Sequence, residues 1–304
     1  MTDLMCYMGQ ELVYESASEA MEKLIGTAVN AKQIERLCHH YGQKLEEVQE
    51  QSIEKGDCPV AYPTDQTHYV MIDGSMLLTR EEKWKEIKLG RIFSEKNRVE
   101  VSKKRQYITG STYIGHLGPH TDFLKKIEHH TETIKKKVII ADGAKWIWNW
   151  ADDFNEDSIQ ILDFYHAKEH LCQFAQLQFQ DSQQRKRWVD KQSLLLLNDR
   201  IKQVITTLKK MKAKSGKAEE AKTDLIKYYQ NNKKRMMYRT FKEKGLLIGS
   251  GAIEAAHRHV IQQRMKLSGQ RWTKQGAQQL SNIRMLQKSN QWNQLVDLIT
   301  QKAA

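Results

Sequence analysis

Residues 135–148 read KKKVIIADGAKWIW and predict a buried strand that ends at a carboxylate. The apolar run 138–141 is typical of a strand covered on both faces, as in a parallel sheet. After Asp142 and Gly143, aromatic residues recur every four positions, as on one face of a helix: Trp146, Trp150 and Phe154. A type I′ hairpin turn at Asp-Gly is the alternative, but the following segment does not alternate like a returning strand. We therefore expect a strand–Asp–helix unit whose Asp142 lies where open α/β sheets bind their ligands.

The charge of the sequence is uneven and points to a polyanionic partner. The net charge is +12, but residues 1–65 hold 5 Lys/Arg against 12 Asp/Glu, and the rest of the chain holds 44 against 25. A basic body of this kind favours nucleic acid as a partner, and a solvated lysine-rich surface is the alternative. The four cysteines form no C-x-x-C pair and are typical of reduced thiols. We find neither a membrane-spanning apolar run nor a signal peptide, so we expect a soluble cytoplasmic protein with no membrane partner.

The predicted elements are helical, then mixed, then helical again. Two helices, 11–24 and 31–48, precede a proline-containing linker at 55–66. Strand patterns follow at 68–72, 75–79, 84–93, 105–114, 138–141 and 159–164, with a helix at 120–134. From 166 to about 245 the pattern is helical. Within it, apolar residues at 194–211 recur at steps of three and four, which is typical of the contact seam of a packed helix pair.

These elements predict an α/β fold, in which a mixed sheet with flanking helices is interrupted by an all-helical insertion and preceded by a small helical region. The expected domains are an N-terminal helical region at 1–54, a linker at 55–66, a first part of the core at 67–170, a helical insertion at 171–245 and the C-terminal helices of the core at 246–304. The core is thus expected to be completed only after the insertion.

Three acidic residues stand out because of their positions in these elements. Asp73 ends the predicted strand at 68–72, Asp142 ends the one at 138–141, and Glu254 lies just inside a helix opened by residues 249–251. Each has a structural alternative, since Asp73 could belong to a plain hairpin turn and Glu254 could stabilise the helix dipole. Together they match the needs of two divalent ions about 3.5–4 Å apart, which require several converging carboxylates. Hard oxygen ligands of this kind select Mg²⁺ or Mn²⁺.

Five segments of the sequence resemble the DDE transposases of bacterial insertion sequences, specifically those of the ISKra type, which are related to the Mutator-like transposases. The segments are YVMIDGS at 69–75, WKEIKLGRIF at 84–93, VIIADGAKWIW at 138–148, LDFYHAKEHL at 162–171 and IGSGAIEAAHRHVIQQRMKLSGQRW at 248–272. Any one segment has low specificity, but five in this order are specific. The resemblance implies an RNase H-like catalytic core on both sides of the helical insertion.

The resemblance also implies a catalytic centre and a reaction. Asp73, Asp142 and Glu254 would be the catalytic residues and would hold two Mg²⁺ or Mn²⁺ ions. The reaction would be cleavage of a DNA phosphodiester to leave a 3′-hydroxyl, followed by attack of that hydroxyl on target DNA. The expected partners are transposon ends and target DNA in the bacterial nucleoid. Joining two ends implies a homodimer or a larger assembly.

Further residues are assigned by the same resemblance. Asp163 and His166 fit the Cys-or-Asp, two residues, His signature of the wider Mutator-like group and would lie next to the site. Trp188 is a candidate for the tryptophan of the insertion. Four basic residues after Glu254 could hold DNA phosphates, with a solvated basic face as the alternative: Arg258, Arg264, Lys266 and Arg271. Trp272 could stack on a base, but core packing is the preferred interpretation.

Residues 166–170 support a rival interpretation, because they read H-x-x-E-H, the pattern of the inverzincin metalloproteases. There, two histidines bind zinc and the glutamate acts as general base. Because His166 directly follows a predicted strand, we expect His166 and His170 not to share one helix face. A non-catalytic DNA-binding protein derived from a transposase and an RNase H-like nuclease without strand transfer are further alternatives. The presence of all three acids favours an enzyme over the non-catalytic DNA-binding protein.

Overall fold

The computed structural model describes residues 1–57, 60–102 and 105–300, and its strands form one five-stranded and one two-stranded sheet. The strands are β1 (Thr67–Thr79), β2 (Lys83–Ser94), β3 (Arg98–Ser102), β4 (Arg105–Ile108), β5 (Thr112–Leu117), β6 (Lys136–Ala141) and β7 (Ile159–Leu162). The larger sheet has the order β5-β2-β1-β6-β7, and β3 pairs with β4. β2 is antiparallel to β1 and to β5, whereas β6 is parallel to β7. The sheet is therefore mixed.

Helices precede, separate and follow these strands. They are α1 (Thr2–Glu11), α2 (Tyr14–Ile25), α3 (Ala31–Lys55), α4 (His120–Thr131), α5 (Lys145–Phe154), α6 (Phe164–Gln178), α7 (Ser182–Leu197), α8 (Ile201–Lys210), α9 (Gly216–Asn232), α10 (Tyr238–Glu243), α11 (Gly251–Ala256), α12 (Gln263–Met265), α13 (Lys274–Lys288) and α14 (Asn293–Thr300). A π-helical segment, His257–Gln262, joins α11 to α12. The α/β fold class is confirmed, with a helical block, α6 to α10, between β7 and α11.

The chain forms two compact units. Unit 1 contains Met1–Lys137 and Ala252–Ala304, and unit 2 contains Val138–Gly251. Asp73 and Glu254 thus belong to unit 1, and Asp142 belongs to unit 2. Within the described residues, none of the helices combines the length and the apolar character needed to span a membrane.

In unit 1, α3 and α13 pack at very short distance. Gly42 of α3 allows this approach, because a Cβ atom at that position would lie 2.1 Å from the carbonyl oxygen of Gln279. The Asn30 side chain caps α3 by accepting a hydrogen bond from Lys32 N, and Gly56 ends the helix in the left-handed region at φ 70°. α13 also contacts β5, where the Gln278 side chain accepts a hydrogen bond from the backbone N–H of Leu117 at 2.7 Å. This packing connects the N-terminal helices to the sheet.

α1 is a helix that the sequence pattern does not predict. Its carbonyl groups are held by two buried arginines from the distant C-terminal part of the chain. Arg264 Nε donates to Gly9 O at 3.1 Å, and Arg284 Nη1 donates to Gln10 O. Because these partners are 255 and 274 positions away in the sequence, local periodicity gives no sign of them.

In unit 2, α6 to α9 pack as consecutive neighbours, with α9 returning to α6. The apolar seam predicted at 194–211 is divided by a break, because α7 ends at Leu197 and α8 begins at Ile201. Asp199, in this break, adopts a left-handed backbone conformation at φ 59°. Its carboxylate accepts hydrogen bonds from the backbone N–H groups of Arg239 and Thr240, at 2.8 and 3.1 Å, in the first turn of α10. The apolar steps of three and four therefore belong to two helices.

The strand predictions need two corrections. β1 is a single strand, so Asp73 and Gly74 lie inside it, paired with Leu89 and Lys88, and form neither a turn nor a strand end. The segment predicted as one strand at 105–114 divides between β4 and β5. The two parts pair with different strands, since β4 pairs with β3 and β5 pairs with β2. Within the predicted linker at 55–66, residues 58 and 59 lie outside the described residues.

Candidate functional site

Asp73 lies in the middle of β1 with a carboxylate that is 35% exposed. Its Oδ1 atom accepts a hydrogen bond from Gly74 N at 2.8 Å. A Cβ atom on Gly74 would lie 2.2 Å from Glu86 Oε1, so the Glu86 side chain of β2 lies over this glycine. The side chain is therefore fixed by local backbone contacts while part of its surface faces solvent.

His257 lies close to Asp73 and connects it to the helix that carries Glu254. The distance from His257 Nε2 to Asp73 Oδ2 is 3.8 Å. Residues three apart in a helix are neighbours on its surface, and Glu254, one turn before His257, is exposed in α11. The π-helical segment begins at His257, and such segments are frequent at functional sites. Unit 1 thus brings Asp73 and the Glu254 helix together.

The imidazole of His257 is neutral at physiological pH. Burial is the main cause, and it lowers the pKa of His257 to about 4. The positive charge of Lys266 contributes to this lowered pKa, whereas the nearby backbone of Asp73 and the charge of Glu86 oppose the shift. Asp73 therefore has a neutral aromatic ring beside it.

A buried arginine fixes the start of α11. Arg91 of β2 donates from Nη1 to the carbonyl oxygen of Ala252 at 2.7 Å. Its guanidinium lies 5.5 Å from the ring centres of both Phe93 and Tyr113. Because the planar guanidinium is held by two rings and a carbonyl, it positions the helical turn in which Glu254 is exposed.

Asp142 directly follows β6, as predicted, and belongs to a tight turn. Its Oδ1 atom accepts a hydrogen bond from Ala144 N at 2.9 Å, which is typical of an Asx turn before a helix. Gly143 allows a close approach from α9, because a Cβ atom there would lie 2.1 Å from Cε2 of Tyr228. The turn and the tyrosine ring together set the position of the Asp142 carboxylate.

Asp163 is 1% exposed and acts as a structural link in unit 2. Its Oδ1 atom accepts from His166 N at 2.7 Å and thereby caps α6. Its Oδ2 atom accepts from Ser250 N at 2.5 Å, and Phe164 N donates to Ile248 O at 2.9 Å. Asp163 therefore positions residues 248–250, which lead into α11.

Tyr228 of α9 is a candidate site residue that the sequence gives no means of finding. Burial raises the pKa of Tyr228 well above its usual value, and the negative charges of Asp142 and Asp163 raise it further. The phenol therefore stays protonated. The Tyr-Tyr pair at 228–229 belongs to no recognisable motif, so only the fold reveals its proximity to Asp142.

His166 and His170 lie side by side on α6, so the prediction that they do not share a helix face is wrong. Their ring centres are 5.1 Å apart, and His166 Nδ1 lies 3.8 Å from Glu169 Oε2. The His170 ring packs on Tyr228 with centres 4.4 Å apart. Burial and the nearby His166 lower the pKa of His170.

The predicted DNA contacts differ in accessibility. Arg264 is 1% exposed, with its guanidinium 4.8 Å from the Tyr14 ring and 5.2 Å from the Trp272 ring, which favours a structural role over a phosphate contact. Trp272 is itself buried, and its Nε1 donates to Met265 O at 2.9 Å, which favours core packing. The other three basic residues are exposed and stay predicted phosphate contacts: Arg258, Lys266 and Arg271.

Trp188 also stays a predicted DNA contact. It is half-buried in α7, with ring centres 5.6 Å from Phe174 and 5.4 Å from Phe179. It therefore takes part in an aromatic cluster inside unit 2. Only the part of the indole left outside this cluster could reach a nucleic acid.

The chemistry of the three acids fits a hard divalent cation. Each aspartate is partly exposed and has one oxygen fixed by a backbone N–H, and Glu254 is exposed in the first turn of α11. Fixed carboxylate oxygens are the ligands that Mg²⁺ and Mn²⁺ prefer. Across residues 1–57, 60–102 and 105–300, we find no group of three or more His, Cys, Asp or Glu side chains arranged around one point as metal ligands. The metal-binding role of the three acids therefore stays a prediction.

Comparison with known proteins gives a family and no activity. Residues 10–302 match the model of UPF0236, which is described as an uncharacterised protein family. No curated protein shows significant similarity to the chain.

Proposed function

We propose that this chain, which belongs to the uncharacterised protein family UPF0236, is a metal-dependent DNA transposase that cleaves DNA at the ends of an insertion sequence and transfers the strands. The observation that carries the proposal is the position of the five resembling segments in the fold. They cover parts of β1 and β2, the end of β6 with the start of α5, the end of β7 with the start of α6, and the chain from the loop before α11 to beyond α12. Asp73 thus lies within a strand, Asp142 directly after a strand and Glu254 in the first turn of a helix, and each of these positions suits a carboxylate ligand of a metal ion.

Asp73, Asp142 and Glu254 are the residues proposed to hold Mg²⁺ or Mn²⁺. When bound, a pair of such ions supplies an activated nucleophile and stabilises the departing oxygen. The chain's own contribution is to fix the carboxylates in advance. Gly74 N and Ala144 N each hold one aspartate oxygen, at 2.8 and 2.9 Å, so little reorganisation is needed when a cation binds.

Two further contacts support the helix that carries Glu254. Arg91 holds the carbonyl of Ala252 at 2.7 Å, and Asp163 holds the N–H of Ser250 at 2.5 Å. Neither residue needs to touch DNA to affect the reaction, because both set the course of the backbone just before Glu254. This gives the Asp163 of the Cys-or-Asp signature a positioning role.

DNA is the proposed partner. The basic excess lies after residue 65, and exposed basic side chains follow Glu254 closely: Arg258, Lys266 and Arg271. Exposed lysine and arginine bind the phosphate backbone without reading sequence. A transposase that joins two DNA ends acts as a homodimer or a larger assembly, and we propose this for the working complex.

The test is DNA nicking and strand transfer by the full chain in Mg²⁺ and in Mn²⁺. The substrates are a supercoiled plasmid and a labelled oligonucleotide that carries the DNA flanking the coding sequence and ends in a 3′-hydroxyl. Wild type is expected to nick the plasmid and to join the oligonucleotide to it, and Asp142→Asn is expected to do neither. Asp153→Asn, an exposed acid of the same unit, serves as the matched control.

The outcomes separate the proposed function from its rivals. Nicking without joining would leave an RNase H-like nuclease, and DNA binding without nicking would leave a non-catalytic DNA-binding protein. Activity that survives Asp142→Asn would contradict the assignment of the acids.

A zinc hydrolase is the second candidate, favoured by the adjacent rings of His166 and His170 on α6. In that case peptide hydrolysis should require Zn²⁺ and Glu169, and Glu169→Gln should abolish it. We rank this candidate second, because the His170 ring packs on Tyr228 and His166 Nδ1 faces Glu169.

A further inference from the structure

Unit 2 contains a cleft of about 670 Å³ that begins at Gly143, the residue after Asp142. Its walls come from α5, from the second half of α9 and from the 3₁₀ turn Lys233–Arg235 that follows α9. Clefts of this size are typical of sites for small molecules or single chemical groups of a larger ligand. None of the predicted site residues lines this cleft.

Two aromatic residues of the cleft have polar atoms that are buried and unsatisfied. Within the described part of the chain, neither Trp148 Nε1 nor Tyr228 Oη has a hydrogen-bond partner. A buried polar atom without a partner is costly and calls for a water or a ligand to satisfy it. The indole N–H can only donate, and the protonated phenol can also donate, so the missing ligand has hydrogen-bond acceptors.

Both aromatic side chains are held rigidly in place. The Arg235 guanidinium lies 4.5 Å from the centre of the Trp148 ring and forms two hydrogen bonds to the Asp152 carboxylate, at 2.7 and 2.8 Å. The Tyr228 ring is fixed by His170 on one side. A binding group that is fixed before the ligand arrives loses little conformational entropy on binding.

The remaining walls are amides and amines. Asn149 and Asn231 supply side-chain amides that both donate and accept hydrogen bonds, and Lys145 and Lys227 supply exposed positive charges. Because Asp152 is already paired with Arg235, Asp224 is the one remaining acid among the residues that line the cleft. The cleft therefore offers hydrogen bonds to a polar, uncharged ring and positive charge to an attached anion.

From this arrangement we infer that the cleft binds an unpaired nucleotide, with the base hydrogen-bonded to Trp148 and Tyr228 and its phosphate beside Lys145 and Lys227. A base has ring nitrogen and carbonyl acceptors, and only a base that has left the stacked duplex can enter a cleft and present them to its walls. The inference rests on the proposed function, because DNA held at Asp142 would supply the nucleotide and the cleft begins at the next residue. The ligand is then a nucleotide of the DNA held at the site, and a free nucleotide has the same chemistry.

The test measures base recognition apart from phosphate binding. The probe is a fluorescent DNA duplex with a two-nucleotide single-stranded end, compared with the same duplex in which those two positions are abasic. Affinities of the full chain are measured by anisotropy in EDTA, so that no cleavage occurs. We expect wild type to prefer the intact end by about tenfold, the effect of two hydrogen bonds. We expect the Trp148→Phe/Tyr228→Phe double variant to lose this preference.

Matched controls exclude general effects on folding and charge. Trp150→Phe makes the same change on the same helix at a buried position outside the cleft, and it should keep the preference. Lys227→Gln should weaken binding of both probes, and Lys202→Gln, an exposed lysine of α8, should weaken it less. Thermal unfolding of each variant verifies that it folds. Tyr228→Phe alone, which keeps the ring, should lose part of the preference even if Trp148→Phe fails to fold.

Each outcome bears on the inference separately from the proposed function. A wild-type protein without the preference, or variants that keep it, would overturn the inference even if the plasmid is nicked. A preference that disappears in the variants would support it even if no nicking occurs, and the proposed function alone would then fail. If dAMP competes with an affinity equal to that of the DNA end, the natural ligand is a free nucleotide. If dAMP competes more weakly, the ligand is a nucleotide of DNA.

Discussion

The surroundings of Asp73 in unit 1 and of Asp142 in unit 2 differ in the side chains that pack near them. In unit 1, Arg91 and Arg284 are buried and donate to backbone carbonyls. In unit 2, Trp148 and Tyr228 are buried with polar atoms that have no partner among the described residues. Buried arginines that donate to carbonyls are typical of a rigid scaffold, whereas unpartnered polar atoms that border a cleft can be satisfied by a ligand. Two carboxylates that are assigned to the same role therefore have different structural surroundings.

The largest expected effect concerns the shared role of the two aspartates. If both hold the metal ions, Asp73→Asn and Asp142→Asn should each reduce DNA nicking by about 10³-fold or more. The double variant should lose hardly more than either single variant, because residues that act as one unit are non-additive. Initial nicking rates in Mn²⁺ measure this. If one single variant lost only a few-fold of its nicking rate, the two acids would not contribute equally to the reaction.

The next effect concerns the scaffold of unit 1. Arg284→Met should lower the free energy of unfolding by about 3 kcal/mol, because it leaves buried carbonyls without donors. Those carbonyls belong to Gln10, Val260 and His259. Urea unfolding measures the change. Arg258→Met, an exposed arginine of the π-helical segment, is the control and should stay within about 0.5 kcal/mol of wild type. A loss below about 1 kcal/mol for Arg284→Met would contradict the scaffold interpretation.

A pH effect is also expected from unit 1. Burial lowers the pKa of His130 in α4 from 6.5 to about 4, and the charges of His129 and Lys126 lower it further. Above pH 6.5 the ring is neutral in both folded and unfolded chains. Between pH 6.5 and 4 only the unfolded chain takes up the proton, so stability falls with falling pH, by about 1–2 kcal/mol at pH 5. Urea unfolding at pH 8 and pH 5 measures the loss.

His130→Gln should lose less stability between pH 8 and pH 5 than wild type does. His120→Gln, at the exposed start of the same helix, is the control and should behave as wild type. Equal pH dependence in all three proteins would show that the buried ring is not responsible.

The smallest expected effects compare the two glycines that follow the aspartates. Gly143→Ala places a Cβ atom 2.1 Å from the Tyr228 ring, which His170 holds in place, so it should cost about 1–2 kcal/mol. Gly74→Ala meets the end of the half-exposed Glu86 side chain, which can rotate away, so it should cost about 0.5 kcal/mol or less. Thermal unfolding measures both. The reverse order would indicate that Tyr228 is mobile.

Much of the α/β core could be predicted, because its elements have strong local patterns. The run at 138–141 and the aromatic repeat after Asp142 give β6, the turn and α5 correctly. The same reasoning places a strand end at Asp73, since Asp-Gly is a frequent turn pair. Long pairing with β2 overrides that local preference and carries β1 through both residues.

The features missed by sequence reasoning depend on contacts between distant residues. α1 is stabilised by Arg264 and Arg284, and the break after α7 places Asp199 at the start of α10. Tyr228 reaches Gly143 only because α9 packs against α6. The cleft beside Trp148 is likewise a product of packing, so periodicity and motifs contain no signal for it.

The two oxygens of Asp163 have a consequence for how freely the helical block can vary. One oxygen binds the start of α6 and the other binds Ser250, 87 positions later, so the block leaves and re-enters the core at a single residue. The entropy of closing a loop grows only with the logarithm of its length. A block closed at such a point can be lengthened, shortened or exchanged with little change in closure cost, provided that the pair is kept. For protein engineering, a foreign helical domain could therefore replace the block between Asp163 and Ser250.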